Sequence, residues 1–408
     1  MEMLHPRCAG LDVHKDSVVA CVRIASDGGV KHEVRTFGTT TTALEELAAW
    51  LRAEGCTHAA MEATGIYWKP VWHALEEEVE LVLANAMHIK NVPGRKTDVN
   101  DATWIADLLA HGLIRGSFVP EASIQELRAL TRTRKQFVRE KVGHVQRIQK
   151  TLEDANIKIA SVATDIMGKS GRAILEALIA GETDPEKLAD TTRGRLRASR
   201  ATIVESLRGR VTANHRLLLK LHLDHIKAIE ATLVTVDKEV DALLEPFLAA
   251  AKRLTTIPGI SDLVAEVIIS EIGVDMSRFP TPGHLISWAG LCPRNDESAG
   301  KRRSTRLRNG APWLKATLVQ AAWPAARTKK SYLSAQFFRI KSRRGPRKAI
   351  MAVAASMLTA IFFMLRDGVE YRDLGHDYFD RLHKAKATHR LVRRLTALGY
   401  QVELKAAP

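Results

Sequence analysis

Asp12, Glu62, Asp98 and Asp101 are the residues of this 408-residue chain whose type and spacing could do chemistry together. They stand in Gly10-Leu11-Asp12-Val13-His14-Lys15, Met61-Glu62-Ala63-Thr64-Gly65 and Lys96-Thr97-Asp98-Val99-Asn100-Asp101. Carboxylates gathered at one point repel one another unless a cation lies among them, so a converging quartet implies Mg2+ or a similar hard ion. Two such ions about 4 Å apart activate an attacking oxygen and stabilise a leaving one, which is chemistry on a phosphodiester. Taken singly, each acid reads as a surface charge, and Asp98, in an expected first helical turn, is accounted for by the helix dipole alone. Asp12, within an apolar strand, has no such excuse.

Elements must bring these acids together. Cys8 to Val13, Ser17 to Ile24 and Val30 to Phe37 are short β-branched runs of strand type, and they put Asp12 near the end of the first. Leu44, Leu47, Ala48 and Leu51 give Thr42 to Leu51 a helical period, and Thr57 to Met61 is a strand that delivers Glu62 before Gly65 breaks the run. Trp72 to Val79 reads as a helix, Leu81 to Ala84 as a strand, and Thr97 as the N-cap of a helix through His111. On that helix Asp98 and Asp101, three apart, would share a face. Three strands, helix, strand, helix, strand and closing helix is the order of the RNase H-like (RuvC-like) fold, whose acids come from the first strand, the fourth strand and the last helix. The predicted class is therefore α/β over residues 1–120, followed by α.

Charge makes a second, independent case. The formal charge is +15 and the sequence pI is near 9.7, which favours a polyanionic partner. Sixteen Lys and Arg against two acids fall between Arg294 and Lys348, so nearly all of the excess sits in one segment. Such a segment tracks phosphates and releases counterions. Its interleaved Trp313, Leu318, Trp323, Tyr332 and Phe337 argue for folded helices rather than a disordered arm.

Between acids and cations, Ile226, Ile229, Leu233, Val236, Val240 and Leu243 alternate by three and four, and Leu127, Leu130, Val138, Val142, Val145, Ile148 and Leu152 mark an earlier long helix. An antiparallel coiled-coil pair over 121–250, serving as spacer or dimerisation arm, is the expected arrangement. Beyond it, Ile257-Pro258-Gly259-Ile260 has the letters of a helix-hairpin-helix turn whose amides would face a phosphate, or of a plain tight turn. Ser298, in Asn295-Asp296-Glu297-Ser298-Ala299-Gly300-Lys301, places a hydroxyl in a turn beside Lys301, Arg302 and Arg303. A hydroxyl there could approach phosphorus while the cations stabilise developing charge, and Ser304 and Thr305 are nearly as well placed.

Taken as an ordered set, GLDVHK, MEATGIYW, KTDVNDA, IPGI, WAGLCPRNDESAGK and STRLRNGAPWLKATLVQAA resemble the bridge-RNA-guided insertion-sequence recombinases, also called DEDD transposases, from about residue 8 to about residue 366. The resemblance implies a mainly helical C-terminal transposase domain, 251–370. It implies that Asp12, Glu62, Asp98 and Asp101 are a magnesium-binding tetrad and that Ser298 is a nucleophile forming a transient phosphoserine link to DNA. Tetrad and serine would form a composite site, supplied by one protomer or by two. It implies dimers or tetramers around a structured guide RNA that pairs with donor and target DNA. Arg294, Lys301, Arg302, Arg303, Arg306, Arg308 and Lys315 are then the expected nucleic-acid contacts. One departure is visible: Asp296-Glu297-Ser298-Ala299-Gly300 stands where the family commonly has paired serines followed by paired glycines.

Cys8, Cys21, Cys56 and Cys292 have no metal spacing, which fits reduced thiols in a prokaryotic cytoplasm beside the nucleoid and speaks against zinc. No signal peptide opens the chain, and the apolar run Ala349 to Leu365 suits a buried helix better than a membrane span. Residues 371–408 form a basic tail, suited at most to auxiliary RNA or DNA contact. Two further readings remain: a RuvC-like nuclease or resolvase acting by water attack, and a non-catalytic RNA- or DNA-binding protein. An actin-like phosphotransferase is disfavoured because Asp12-Val13-His14-Lys15-Asp16-Ser17 lacks a glycine-rich phosphate turn.

Overall fold

The computed structural model describes residues 3–26, 29–86, 89, 100–192, 198–293, 296–298, 300–304 and 306–405, without the side chains of 296–298, 302, 303 and 386. It divides into two compact units, residues 1–119 and 120–408.

The first unit is a five-stranded sheet of order β3-β2-β1-β4-β5, with β1 (Arg7–Val13), β2 (Ser17–Ser26), β3 (Gly29–Gly38), β4 (His58–Glu62) and β5 (Glu80–Ala84). β1 to β3 run antiparallel, whereas β4 lies parallel to β1 with Leu11 opposite Met61, and β5 lies parallel to β4. Alternation along each strand sends successive side chains to opposite faces. Ala9, Leu11, Val13, Ala59 and Met61 enter one core with α1 (Thr41–Ala53) and α2 (Trp68–Leu75). Cys8 and Ala60 enter the core on the opposite face, under α3 (Asp101–Ala110).

Two helix boundaries differ from the sequence expectation. α2 starts four residues earlier and ends at Leu75, because Pro70 is tolerated in a first turn and the chain must reverse before β5. α3 begins at Asp101, capped by the Asn100 side chain, which accepts from Ala102 N at 2.9 Å. Thr97 and Asp98, and with them the expectation that Asp98 and Asp101 share a helix face, lie outside the described residues.

The second unit is helical apart from one hairpin. Its long helices α4 (Ala122–Asp154) and α8 (Ala213–Leu244) run antiparallel: Arg134 meets Asp237, Lys141 meets Glu230 and Asp154 meets His215. Leu219, Leu223, Ile226, Val236 and Val240 are buried, but Val138 and Val142, expected on the seam, are exposed, because ion pairs line the middle of the interface instead. The far end is more than a hairpin. α5 (Lys169–Ala180), α6 (Pro185–Asp190) and α7 (Arg200–Ser206) close around Ile148, Leu152, Leu175, Leu178 and Ile203 as a small lobe with its own core.

A histidine cluster sits in the α4–α8 interface. His144 Nδ1 is 3.2 Å from His222 Nδ1, and the His144 ring stacks on His225. A 3.2 Å pair needs one protonated and one bare nitrogen, so at least one ring must be neutral. Burial, with help from neighbouring imidazoles and Arg147, pushes the affinities of His144 and His222 for a proton below the usual 6.5. The unfolded chain then binds more protons than the folded one in mildly acid solution, so stability from this contact is present above pH 6.5 and lost as pH falls through the lowered folded values. Thermal melts between pH 7.5 and 5, as about the range in which histidine titrates, should show Tm falling on acidification. The slope should flatten in His144→Gln/His222→Gln, and an unchanged slope in that variant refutes the assignment.

The remaining helices are α9 (Leu248–Leu254), α10 (Asp262–Ile272), α11 (Pro282–Ala289), α12 (Pro312–Arg327), α13 (Tyr332–Arg344), α14 (Pro346–Asp367), α15 (Tyr378–Leu382) and α16 (Lys384–Ala397). α14 is long and apolar enough to cross a membrane, yet 56% of its most apolar window is buried in the protein's own core. Glu271 on α10 is fully buried and accepts two bonds from Arg132 of α4, at 2.7 and 2.8 Å, locking the spacer to this end. Burial lowers the neighbouring Arg128 to about 10.

Candidate functional site

A glycine sets how closely a helix approaches the sheet beside the expected acids. A side chain at Gly10, in the middle of β1, would run into Ala102 O, Ala106 N and Ile105 C, so α3 lies directly on the strand's backbone. Cys8 Sγ contacts Ala106 O at 3.6 Å, so the helix runs antiparallel to β1 and its first residue, Asp101, lies toward the strand end that carries Asp12. By alternation Asp12 and Glu62 point to the α3 face, and the parallel register sets them side by side, one residue beyond the Leu11–Met61 pair. Asp12, Glu62 and the start of α3 thus lie toward the same end of the sheet and on the same face.

The sheet also fixes how α3 is rotated. Arg23, buried on β2, donates from Nε to Asp107 Oδ1 at 2.9 Å, and His32 Nε2 sits 3.0 Å from the same oxygen. Asp107 therefore orients the helix that starts with Asp101. Sequence reading missed it, although an arginine inside an otherwise apolar strand was the available signal. Asp12 itself lies 3.1 Å from His14 Nε2. Among the described residues no trio of His, Cys, Asp or Glu is close enough to hold a metal. Asp98 lies outside them. Burial lifts the Cys8 thiol to about 12 and Cys56 to about 11, so both remain protonated near neutral pH.

Ser298, the expected nucleophile, lies in the other unit. Ser298 is the last residue of β6 (Asp296–Ser298), which pairs with β7 (Lys301–Ser304) so that Ser298 faces Lys301 across the hairpin tip. The sequence suggested a turn; the backbone instead puts this serine at a strand end, with Gly300 at φ +72° where a side chain would be strained. A Pro293–Leu307 bridge closes the hairpin's root. Below it Gly290 and Gly310 pack backbone to backbone, with no space for a Cβ on Gly310. Arg308 Nη1 donates to Ser287 Oγ at 3.2 Å, and Lys315 Nζ donates to the carbonyls of Arg308 and Asn309 at 3.0 and 2.7 Å. Two expected nucleic-acid contacts, Arg308 and Lys315, are thus engaged in holding the hairpin's base. Lys301 and Arg306 are exposed. Arg294 lies outside the described residues, as do the side chains of Ser298, Arg302 and Arg303.

The Pro258–Gly259 turn is half-buried and packs against α12. A Cβ on Gly259 would meet Ala321 O and Ala325 N of α12, and Ile257 and Ile260 are buried beside it. The following helix start is capped by Ser261 and carries Asp262, which pairs with Lys252. A carboxylate in that first turn opposes a phosphate, so the turn is a packing element.

Two family models match this chain. One, a transposase model of DEDD type for IS110, covers residues 9–157, which include all four acids, and the other, described as transposase of the IS116/IS110/IS902 family, covers 251–338, which include Ser298 and the hairpin. The chain thus carries one region similar to each of these transposase models. A protein from Streptomyces coelicolor described as the insertion element IS110 uncharacterized 43.6 kDa protein is 31% identical over 176 residues, 41% of this chain and 38% of that protein. The chain thus spans about two fifths of that relative's length in the match. The IS110 domain matches leave residues 158–250, with the small helical lobe, and everything after 338 uncovered.

Proposed function

We propose that this IS110-type chain is a DNA recombinase of an insertion sequence, cutting and rejoining strands with Ser298 as nucleophile and Asp12, Glu62, Asp98 and Asp101 as the metal-holding tetrad. The observation that supports the reading is the placement of Asp12, Glu62 and the start of α3 on one face, toward one end, of the five-stranded sheet. Hard carboxylate oxygens suit Mg2+, which when bound would polarise the phosphate and neutralise developing charge. The chain's own residues do the rest. Arg23 and Asp107 hold α3 in place, and the clamped hairpin base supports the strand that carries Ser298. Attack forms an Oγ–P bond as one P–O bond of the DNA backbone breaks, and the freed strand leaves as a hydroxyl.

Donor and target DNA are the proposed substrates, a structured guide RNA the proposed partner, and a dimer or tetramer in the cytoplasm, beside the nucleoid, the proposed assembly. The basic segment supports a polyanionic partner through sixteen cations between residues 294 and 348. Cutting should stop in chelator and return with Mg2+, while binding of DNA persists in both. A denaturing gel of the cut product decides the nucleophile: DNA cross-linked to protein supports the serine, and clean cleavage without adduct would mean that water attacks. Cutting undiminished in chelator would remove the tetrad from the mechanism.

A further inference from the structure

At the hairpin's root lies a cavity of about 700 Å³ whose lining differs from the rest of the basic segment. Its walls are apolar. Val319 and Trp323 come from α12, Met351 and Ala352 from α14, and Pro293 and Leu307 are the bridge that closes the hairpin. Its rim is cationic, with Arg344, Arg347 and Lys348 at the α13–α14 junction. The indole of Trp323 is 38% exposed yet held by an edge contact to Phe337 at 5.9 Å, so a large flat ring is presented in one orientation. Ser298 is five residues beyond Pro293 and so lies within about 17 Å of this wall, a few nucleotides along a DNA strand.

A flat apolar slot with one fixed aromatic face and three cations at its mouth matches a nucleobase whose phosphates stay outside. An apolar side chain from another protein would leave the three rim charges without partners. We propose that the cavity takes an unstacked nucleobase of the strand attacked at Ser298, stacked on Trp323 and tethered through its phosphates by Arg344, Arg347 and Lys348. This rests on the DNA reading above and adds to it a site that positions the strand. Removing a base from the stack near the reacting phosphate also gives the enzyme a grip on strand position that charge alone does not supply, because phosphates are identical along the chain.

The test uses the full chain and two labelled polymers of equal length, an oligothymidylate and its abasic deoxyribose-phosphate counterpart, in fluorescence anisotropy. The intact protein should prefer the polymer with bases. Trp323→Ala, which removes the stacking face, and Ala352→Leu, which fills the slot while keeping the indole in the chain, should each cut that preference about tenfold and leave the abasic affinity unchanged. Arg347→Gln should weaken both polymers alike and lower the salt dependence. A preference unaltered in both cavity variants, or an equal loss for both polymers, overturns the base site while leaving DNA binding intact. Failure of the unaltered protein to bind either polymer overturns the DNA reading and the base site together.

Discussion

Ser298→Ala is expected to lower strand joining by a factor on the order of 10⁴ or more, since an enzyme stripped of its nucleophile keeps only binding and electrostatic help. It should also remove every covalent protein–DNA adduct. DNA affinity should change by less than about twofold, because a small uncharged hydroxyl contributes little beside many phosphate contacts. Asp12→Asn should be as inactive for a different reason: one charge fewer at a site of converging carboxylates weakens cation binding, and raising Mg2+ should recover part of the activity. That recovery separates the two residues, as no concentration of metal replaces a missing hydroxyl. Recombination measured in cells between an element's end and its target, alongside an adduct gel, reads both. Joining by Ser298→Ala at near the normal rate would pass the nucleophile's role to another group, with Ser304 the nearest hydroxyl on the same hairpin.

Gly10→Val is expected to cost the first unit most of its stability. Overpacking that side chains can absorb typically costs about 1–3 kcal/mol. Here the obstacles are main-chain atoms of α3, Ala102 O and Ala106 N, which cannot rotate away. Displacing α3 uncovers Ile105, Leu108 and Leu109, and also breaks the Arg23–Asp107 bond, so the loss should approach the roughly 5 kcal/mol by which a small domain is stable. Gly116→Ala is the matched control: its Cβ would meet Val82 Cγ1 at 3.6 Å, an ordinary contact, and its melting temperature should stay within about 2 °C of the parent's. Circular dichroism melts of both variants decide the matter. If Gly10→Val melts like the control, α3 does not lie on β1 as described.

Much of the first unit was legible because its signals are local. Apolar, β-branched runs marked β1 to β3, short runs before Glu62 and over Leu81 to Ala84 marked β4 and β5, and Gly65 and the acids at strand ends fell where turns begin. The α3 start was displaced from Thr97 to Asn100 because both residues are competent caps and sequence offers no means of choosing between them. In the spacer, Val138 and Val142 were assigned to a seam by counting apolar letters. Their partner helix offers Glu230 and Asp237 there, so the favourable contact is between charges and the valines turn outward. The small lobe over α5 to α7 escaped notice since each helix is short and finds its burial only against the others. That Arg308 donates to the Ser287 hydroxyl and Lys315 to the Arg308 and Asn309 carbonyls was not legible, because a cation in a basic run carries no mark of its partner within the fold.

Sequence by itself determined which residues end strands, where the excess positive charge lies and which serine stands among it, because those properties are set by neighbours within a few positions. Tertiary structure alone decided that Asp12 and Glu62 share the face covered by α3, that a glycine must stand at residue 10, and that Gly290 and Gly310 close the hairpin's base. The reason is physical: alternation along a strand is local, but which face a distant helix covers depends on pairing register and on how closely two backbones can approach.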